Sequence, residues 1–202
     1  MVSFKQKKLL NTSMTKQELR SHFKQKRMDL SPAELEIKSE IICNSLFSKF
    51  QLTGKTISLF LPIERQKEIN TYTILEKGIS LDVKIALPKT SPDAANLKHI
   101  LYESQAPLFV NAFGIPEPKD GVEIKPNQFD FVLVPLLAID KSGYRIGYGK
   151  GYYDRFLKKC APNCIFIGLH LFEEFSEIDD LNKYDIPLNY CITPTQIIHF
   201  DN

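Results

Sequence analysis

Between residues 143 and 157 the chain gathers the residue types that bind and move phosphoryl groups. Arg145-Ile146-Gly147-Tyr148-Gly149-Lys150-Gly151-Tyr152-Tyr153-Asp154-Arg155 sets a glycine at every second position of its first half, among three cations and one carboxylate. Glycine admits positive φ and lets a ligand come close to main-chain N–H groups, while Arg145, Lys150 and Arg155 can make charge-assisted hydrogen bonds to an anion. Asp154 is the hard oxygen ligand that a cation such as Mg²⁺ takes. The P-loop needs Ser or Thr after its Lys, and the dinucleotide fingerprint has its third glycine one residue later, so neither applies. An uncommon nucleotide site is the chemistry these residues predict. A glycine-rich turn with solvated charges is the plainer alternative.

Two further groups could serve such a site. Lys16, Arg20, Lys24 and Arg27 fall at helical spacing on one face, with Leu19 and Phe23 directed elsewhere, toward a core. A basic stripe of this kind is commonly a solvated face, and it gains meaning only if it lies beside the glycine loop. Glu68 follows an apolar, strand-like run, Ile57 to Leu61, that Pro62 stops. In open α/β sheets ligands bind outside the carboxyl ends of strands, so a carboxylate there is placed for chemistry; a solvent-facing loop residue is the alternative.

The elements that must position these groups are marked by their ends. Thr15 with Glu18, and Ser31-Pro32 with Glu34, are capping-box signatures that predict helices over 16–29 and 32–50. Asn70 or Thr71 caps a short helix that Gly78 ends. Strands are predicted at 57–61, 83–87, 99–102, 131–134, 165–169 and 191–193, with a helix over 152–159 after the glycine loop. Residues 103–129, with Gly114, Pro116, Pro118 and Pro126, read as an extended loop. This alternation predicts a single α/β layered sandwich with a mostly parallel sheet over 14–202, preceded by a loose leader over 1–13.

Composition narrows the function. With 202 residues and 43% hydrophobic content the chain can bury one sizeable core. A formal net charge of +2 is too small for a surface that binds nucleic acid throughout, so an anionic ligand must be met by local clusters. Cys43, Cys160, Cys164 and Cys191 lack zinc spacing, and the histidines at 22, 99, 170 and 199 are scattered, which predicts free thiols in a reducing compartment and no His/Cys metal centre. His170 is expected in the core or at a pocket rim. With no signal-peptide core and no run of 18 apolar residues, a cytoplasmic protein that does not span a membrane is expected.

Taken in order from about residue 15 to 193, the motifs resemble the 5-formyltetrahydrofolate cyclo-ligase family. The resemblance rests on Lys16 and Arg20, Glu68-Ile69-Asn70-Thr71, Gly114-Ile115-Pro116-Glu117-Pro118, Asp130 through Asp140, and above all Gly143 through Leu157. It implies a three-layer α/β/α sandwich with a mixed sheet and ATP- and Mg²⁺-dependent closure of 5-formyltetrahydrofolate to 5,10-methenyltetrahydrofolate, releasing ADP and phosphate. It further implies that Lys16 and Arg20 contact ATP, that Arg145, Ile146, Gly147, Tyr148, Gly149, Lys150, Gly151, Tyr152 and Tyr153 wrap the nucleotide, and that Asp154 holds the metal. Leu61, Glu68 and Tyr152 would meet the folate, with or without a polyglutamate tail; Arg145 and Lys150 would clamp the transferring phosphoryl, and Glu68 would orient the substrate or act as a base. A monomer is expected. The chain departs from the family pattern at Tyr184-Asp185-Ile186-Pro187-Leu188-Asn189, where relatives carry His-Asp and then Pro-Leu-Asp, so that Asn189 replaces a carboxylate implied as a metal ligand. Thr193-Pro194 stands in place of Thr-Glu. A homologue that binds nucleotide and folate without turnover is the alternative these departures leave open, and an ATP-independent sugar-phosphate isomerase is a third reading.

Overall fold

A computed structural model describes residues 14–90 and 96–201; the leader expected over 1–13 lies outside the described residues. Among the described residues, four α-helices, α1 (Lys16–Met28), α2 (Pro32–Lys49), α3 (Tyr72–Ser80) and α4 (Tyr152–Leu157), accompany twelve strands. The strands are β1 (Thr56–Ser58), β2 (Lys84–Thr90), β3 (Leu97–Leu101), β4 (Leu108–Val110), β5 (Pro116–Pro118), β6 (Glu123–Ile124), β7 (Phe131–Pro135), β8 (Ala138–Ile139), β9 (Arg145–Ile146), β10 (Ile165–Leu169), β11 (Tyr190–Ile192) and β12 (Ile197–His199). The main sheet runs β12-β11-β10-β7-β1-β2-β3-β6. Its five central strands, β11 to β2, are mutually parallel, and antiparallel strands flank them on both sides.

Within the parallel set, β7 and β10 carry no polar side chain, as strands covered on both sheet faces do. Ile57, Ile85, Leu87, Leu133 and Ile167 pack with Leu19 and Phe23 of α1, Ile42 and Leu46 of α2, and Ile74 of α3. Ala86, Val132, Val134 and Cys191 face the other way, against Phe156 and Leu157 of α4, Phe129 and Leu188. The alternation within Val132-Leu133-Val134 is thus the pleat dividing two core layers, and the molecule is the expected α/β/α sandwich.

Both capping boxes form, with the Thr15 hydroxyl accepting from the Glu18 N–H and that of Ser31 from the Glu34 N–H. Three expectations require correction. The first strand pairs only over 56–58; after the Leu59 N–H reaches the Ala86 carbonyl the chain leaves the ladder, and Phe60 and Leu61 turn to a cavity. Helix α3 runs past Gly78 to Ser80, since Gly78 is where the helix presses on β2: a Cβ there would lie 2.7 Å from Ile85 Cδ1. The stretch 103–129 is no plain loop, for it carries the β4–β5 hairpin and β6, whose prolines occupy edge positions that need no ladder donor. The segment after β7 folds as the β8–β9 hairpin, and β12 extends the sheet past the last strand expected. No helix among the described residues is long and apolar enough to cross a membrane.

Candidate active site

The carboxyl ends of β1 and β7, the N-terminal half of α1, the β4–β5 hairpin, the glycine loop and residues 182–186 enclose a cavity of about 880 Å³. Of the residues singled out in the sequence, Lys16, Arg20, Leu61, Glu68, all of 145–153 and Asp154 line it; Asn189 does not.

The basic face of α1 is packed along the glycine loop and is not a solvated stripe. Lys16 Nζ lies 2.6 Å from Asp185 Oδ2, Arg20 Nε donates to the Gly147 carbonyl at 2.9 Å, and Lys24 Nζ sits 5.4 Å from the Tyr148 ring centre. Arg27 is only 3% exposed; it donates through Nη2 to the Leu136 carbonyl at 2.5 Å and through Nη1 to the Tyr148 hydroxyl at 3.1 Å. Gly149 turns at φ +90°, and a Cβ there would lie 3.2 Å from Arg20 Cζ, so both backbone freedom and the close guanidinium call for glycine. Gly151, at φ +65°, caps α4.

Deeper in the cavity the charges are tied down. Arg145 is buried, with Nη2 donating to Asp154 Oδ1 at 2.9 Å and Nη1 to the Ile186 carbonyl at 2.6 Å; burial pushes its pKa down and the Asp154 charge opposes that. Asp154 Oδ1 also accepts the Ile186 N–H at 3.2 Å. Lys150 Nζ stands 3.2 Å above the centre of the Phe113 ring at the hairpin tip, a cation–π contact across the cavity mouth. Glu68, 4% exposed, accepts the Ile63 N–H on Oε2 at 2.7 Å and the Tyr148 hydroxyl on Oε1 at 2.5 Å. Burial and the Glu68 charge push the Tyr148 phenol's pKa up. The Tyr153 hydroxyl is buried without a hydrogen-bond partner among the described residues, and burial followed by the Glu68 charge pushes its pKa up too. A neutral phenol kept unpaired beside the cavity is a donor awaiting a ligand.

Asn189 is the correction among the site residues. Its Oδ1 accepts the Phe166 N–H at 2.8 Å at the start of β10, so the side chain closes the sheet at the edge where the parallel strands begin. Thr193 likewise serves structure, its hydroxyl donating to Glu173 Oε2 at 2.6 Å. Sequence reasoning gave no role to Arg27, to Phe113 and Ile115 of the hairpin, or to Asp185. Helical spacing placed Arg27 on the stripe without saying that its end is buried, and only the place of Asp185 within the departing motif hinted at that residue.

The model of the 5-formyltetrahydrofolate cyclo-ligase family matches residues 12–194, nearly the whole chain. The chain belongs to this family of enzymes. It is 32% identical over 183 residues to a 5-formyltetrahydrofolate cyclo-ligase of Mycoplasma pneumoniae, covering 89% of this chain and 98% of the relative. To the cyclo-ligase of Mycolicibacterium smegmatis it is 27% identical over 185 residues, 89% of this chain and 94% of that one. The solved structure of the Aquifex aeolicus 5,10-methenyltetrahydrofolate synthetase superposes with a TM-score of 0.80 at 30% identity, covering 94% of both chains. Membership accounts for the fold and for the ordered motifs; the cavity shows how this cyclo-ligase-family chain arranges its own residues.

Proposed function

We propose that the protein closes 5-formyltetrahydrofolate to 5,10-methenyltetrahydrofolate at the expense of ATP, releasing ADP and phosphate. One observation carries the reading: a single cavity joins a glycine loop backed by Arg20, Lys16 and Lys150 to a buried carboxylate, Glu68, reached past Tyr148 and Tyr153. The loop side suits a polyphosphate and the Glu68 side suits a ring with N–H donors.

A formamide oxygen leaves poorly until it is phosphorylated. In the proposed sequence that oxygen attacks the γ-phosphorus of ATP and ADP departs, giving an N5-iminium phosphate; N10 then attacks the formyl carbon, loses its proton, and phosphate leaves. The chain's share is alignment and charge neutralisation. Lys150, on the cavity mouth, can leave the Phe113 ring for a phosphoryl oxygen, and Arg20 and Lys16 line the entry for the remaining phosphates. Arg145 acts through Asp154, which it holds in place. Each oxygen of Glu68 already receives one donor and keeps a further lone pair, so Glu68 orients the substrate by accepting one of its N–H groups.

Mg²⁺ fits this site as a companion of the nucleotide. Among the described residues no three His, Cys, Asp or Glu side chains cluster to cage a metal, whereas the Asp154 carboxylate, 27% exposed, borders the cavity. One carboxylate plus phosphate oxygens and water is the coordination Mg²⁺ favours, and the ion would neutralise charge on the phosphates. Asn189, which had favoured a non-catalytic homologue, lies outside the cavity.

The test is the absorbance of purified protein mixed with 5-formyltetrahydrofolate and MgATP, since the methenyl product has a conjugated chromophore that the substrate lacks. The product band is expected to grow only when ATP is present. A band that grows equally without ATP, or none with both substrates, defeats the reading.

A further inference from the structure

Between the glycine loop and Glu68 runs a buried hydrogen-bond chain whose links come from three separate parts of the fold. Arg27, near the end of α1, is fixed by the Leu136 carbonyl and donates to the Tyr148 hydroxyl. That hydroxyl, having accepted from Arg27, donates in turn to Glu68 Oε1, and Arg27 Nη1 stands 3.6 Å from the same oxygen. Glu68 is 4% exposed and Arg27 3%. A carboxylate so buried needs a cation and donors around it, because an uncompensated buried charge is strongly unfavourable.

We propose that Arg27 and Tyr148 are positioning residues for Glu68, fixing the rotamer and the free lone pair with which it receives the folate. The inference rests on the cyclisation reading given above. It also gives Tyr148 a different place from its loop neighbours: although it lies between Gly147 and Gly149, its hydroxyl points away from the loop to the carboxylate. The Gly147 carbonyl is held by Arg20, so the segment that would meet the nucleotide and the carboxylate that would meet the folate share one rigid support, the face of α1.

The charge-assisted bond from Tyr148 sets the scale of the effect. Losing a hydrogen bond to a charged partner corresponds to roughly tenfold or more in rate when that partner acts in the transition state. The experiment is steady-state cyclisation by the full chain for wild type, Tyr148→Phe, Glu68→Gln, and the double variant, with Arg27→Lys and Arg27→Met alongside. Tyr148→Phe removes one hydroxyl at constant shape, so folding is not at stake even if Arg27→Met fails to fold. Expected for Tyr148→Phe is a fall in kcat of about tenfold and a raised KM for 5-formyltetrahydrofolate, with KM for ATP within about twofold of wild type. In the Glu68→Gln background the same change should have little further effect, because the partner that it positions is already altered. Arg27→Lys should retain more activity than Arg27→Met. Additive losses from Tyr148→Phe and Glu68→Gln, or a change confined to the KM for ATP, would overturn the positioning role while the cyclisation reading stands. A wild type without turnover would remove that reading and this inference together.

Discussion

Asn189 joins three strands through one residue. Its side-chain carbonyl accepts the Phe166 N–H at 2.8 Å, its N–H donates to the Phe166 carbonyl at 3.0 Å, and its own carbonyl accepts the Phe200 N–H at 2.9 Å. An Asp at 189 would offer Phe166 the same acceptor and would still lie outside the cavity. We therefore expect Asn189→Asp to leave the Mg²⁺ concentration for half-maximal turnover within about twofold, and Asn189→Ala to lower stability by about 1–2 kcal/mol through the unpaired Phe166 N–H. A Mg²⁺ titration and a urea unfolding curve check both, and a tenfold tighter Mg²⁺ response in Asn189→Asp would return the residue to the metal site. The contrast with Lys150, Arg20 and Glu68 shows what residue type can convey. Lys150 and Glu68 stood out because charge at a glycine loop or a strand end is placed for chemistry, and Arg20 stood out only through the family resemblance, whereas an Asn in a terminal motif serves a strand edge as readily as a metal. Tyr148 was legible as part of the loop, but not its direction, which depends on where α1 brings Arg27.

Elements carry the site's shape, and the β4–β5 hairpin carries its roof. Asn111 organises the tip: its Oδ1 accepts the N–H groups of Phe113 and Ile115 at 2.8 and 3.1 Å, and its Nδ2 donates to buried Glu117 at 2.7 Å. Glu117 in turn accepts from the main chain and hydroxyl of Thr90, tying the hairpin to the end of β2, while Arg65 Nη2 holds the Phe113 carbonyl at 2.8 Å. Removing the Asn111 side chain frees two main-chain donors and releases Phe113 from its place opposite Lys150. We expect Asn111→Ala to raise the KM for 5-formyltetrahydrofolate about three- to tenfold, with a loss of about 1 kcal/mol or less in global stability, since the tip is a surface turn. Unchanged Michaelis constants for both substrates would show that the hairpin is not part of the site. Capped helices and the apolar strands 131–134 and 165–169 were legible because each is specified locally, by a capping box or an unbroken apolar run. The hairpin was hidden because Pro116 and Pro118 argue against strand wherever the pairing partner is unknown, and Leu108 to Val110 acquires meaning only from that partner.

At the scale of the whole molecule, each face of the sheet buries one histidine in the uncharged state. His99 of β3 stacks on Phe156 of α4 at 4.0 Å and meets Phe129 edge-on, with neither ring nitrogen paired among the described residues; His170, just past β10, lies among Phe23 and Phe172 on the α1 side. Burial pushes the pKa of each down from 6.5 to about 3, helped at His170 by Arg27 and Lys26. The unfolded chain therefore binds a proton at each site below about pH 6.5 that the folded chain refuses until about pH 3. Stability from these sites is complete above the unfolded value and is lost as pH falls through that window. Between about pH 7 and 5 the loss amounts to about 2 kcal/mol for each histidine, a sizeable part of a stability of about 5–15 kcal/mol. Because the two lie on opposite faces of one sheet, acid should loosen both helical layers in a single transition. Urea unfolding of wild type and His99→Leu at about pH 7, 6 and 5 isolates one share, the variant being expected to lose about 2 kcal/mol less than wild type across that range. Parallel pH profiles for the two proteins would mean that His99 titrates normally and that the α4 layer opens to water well before the sheet comes apart.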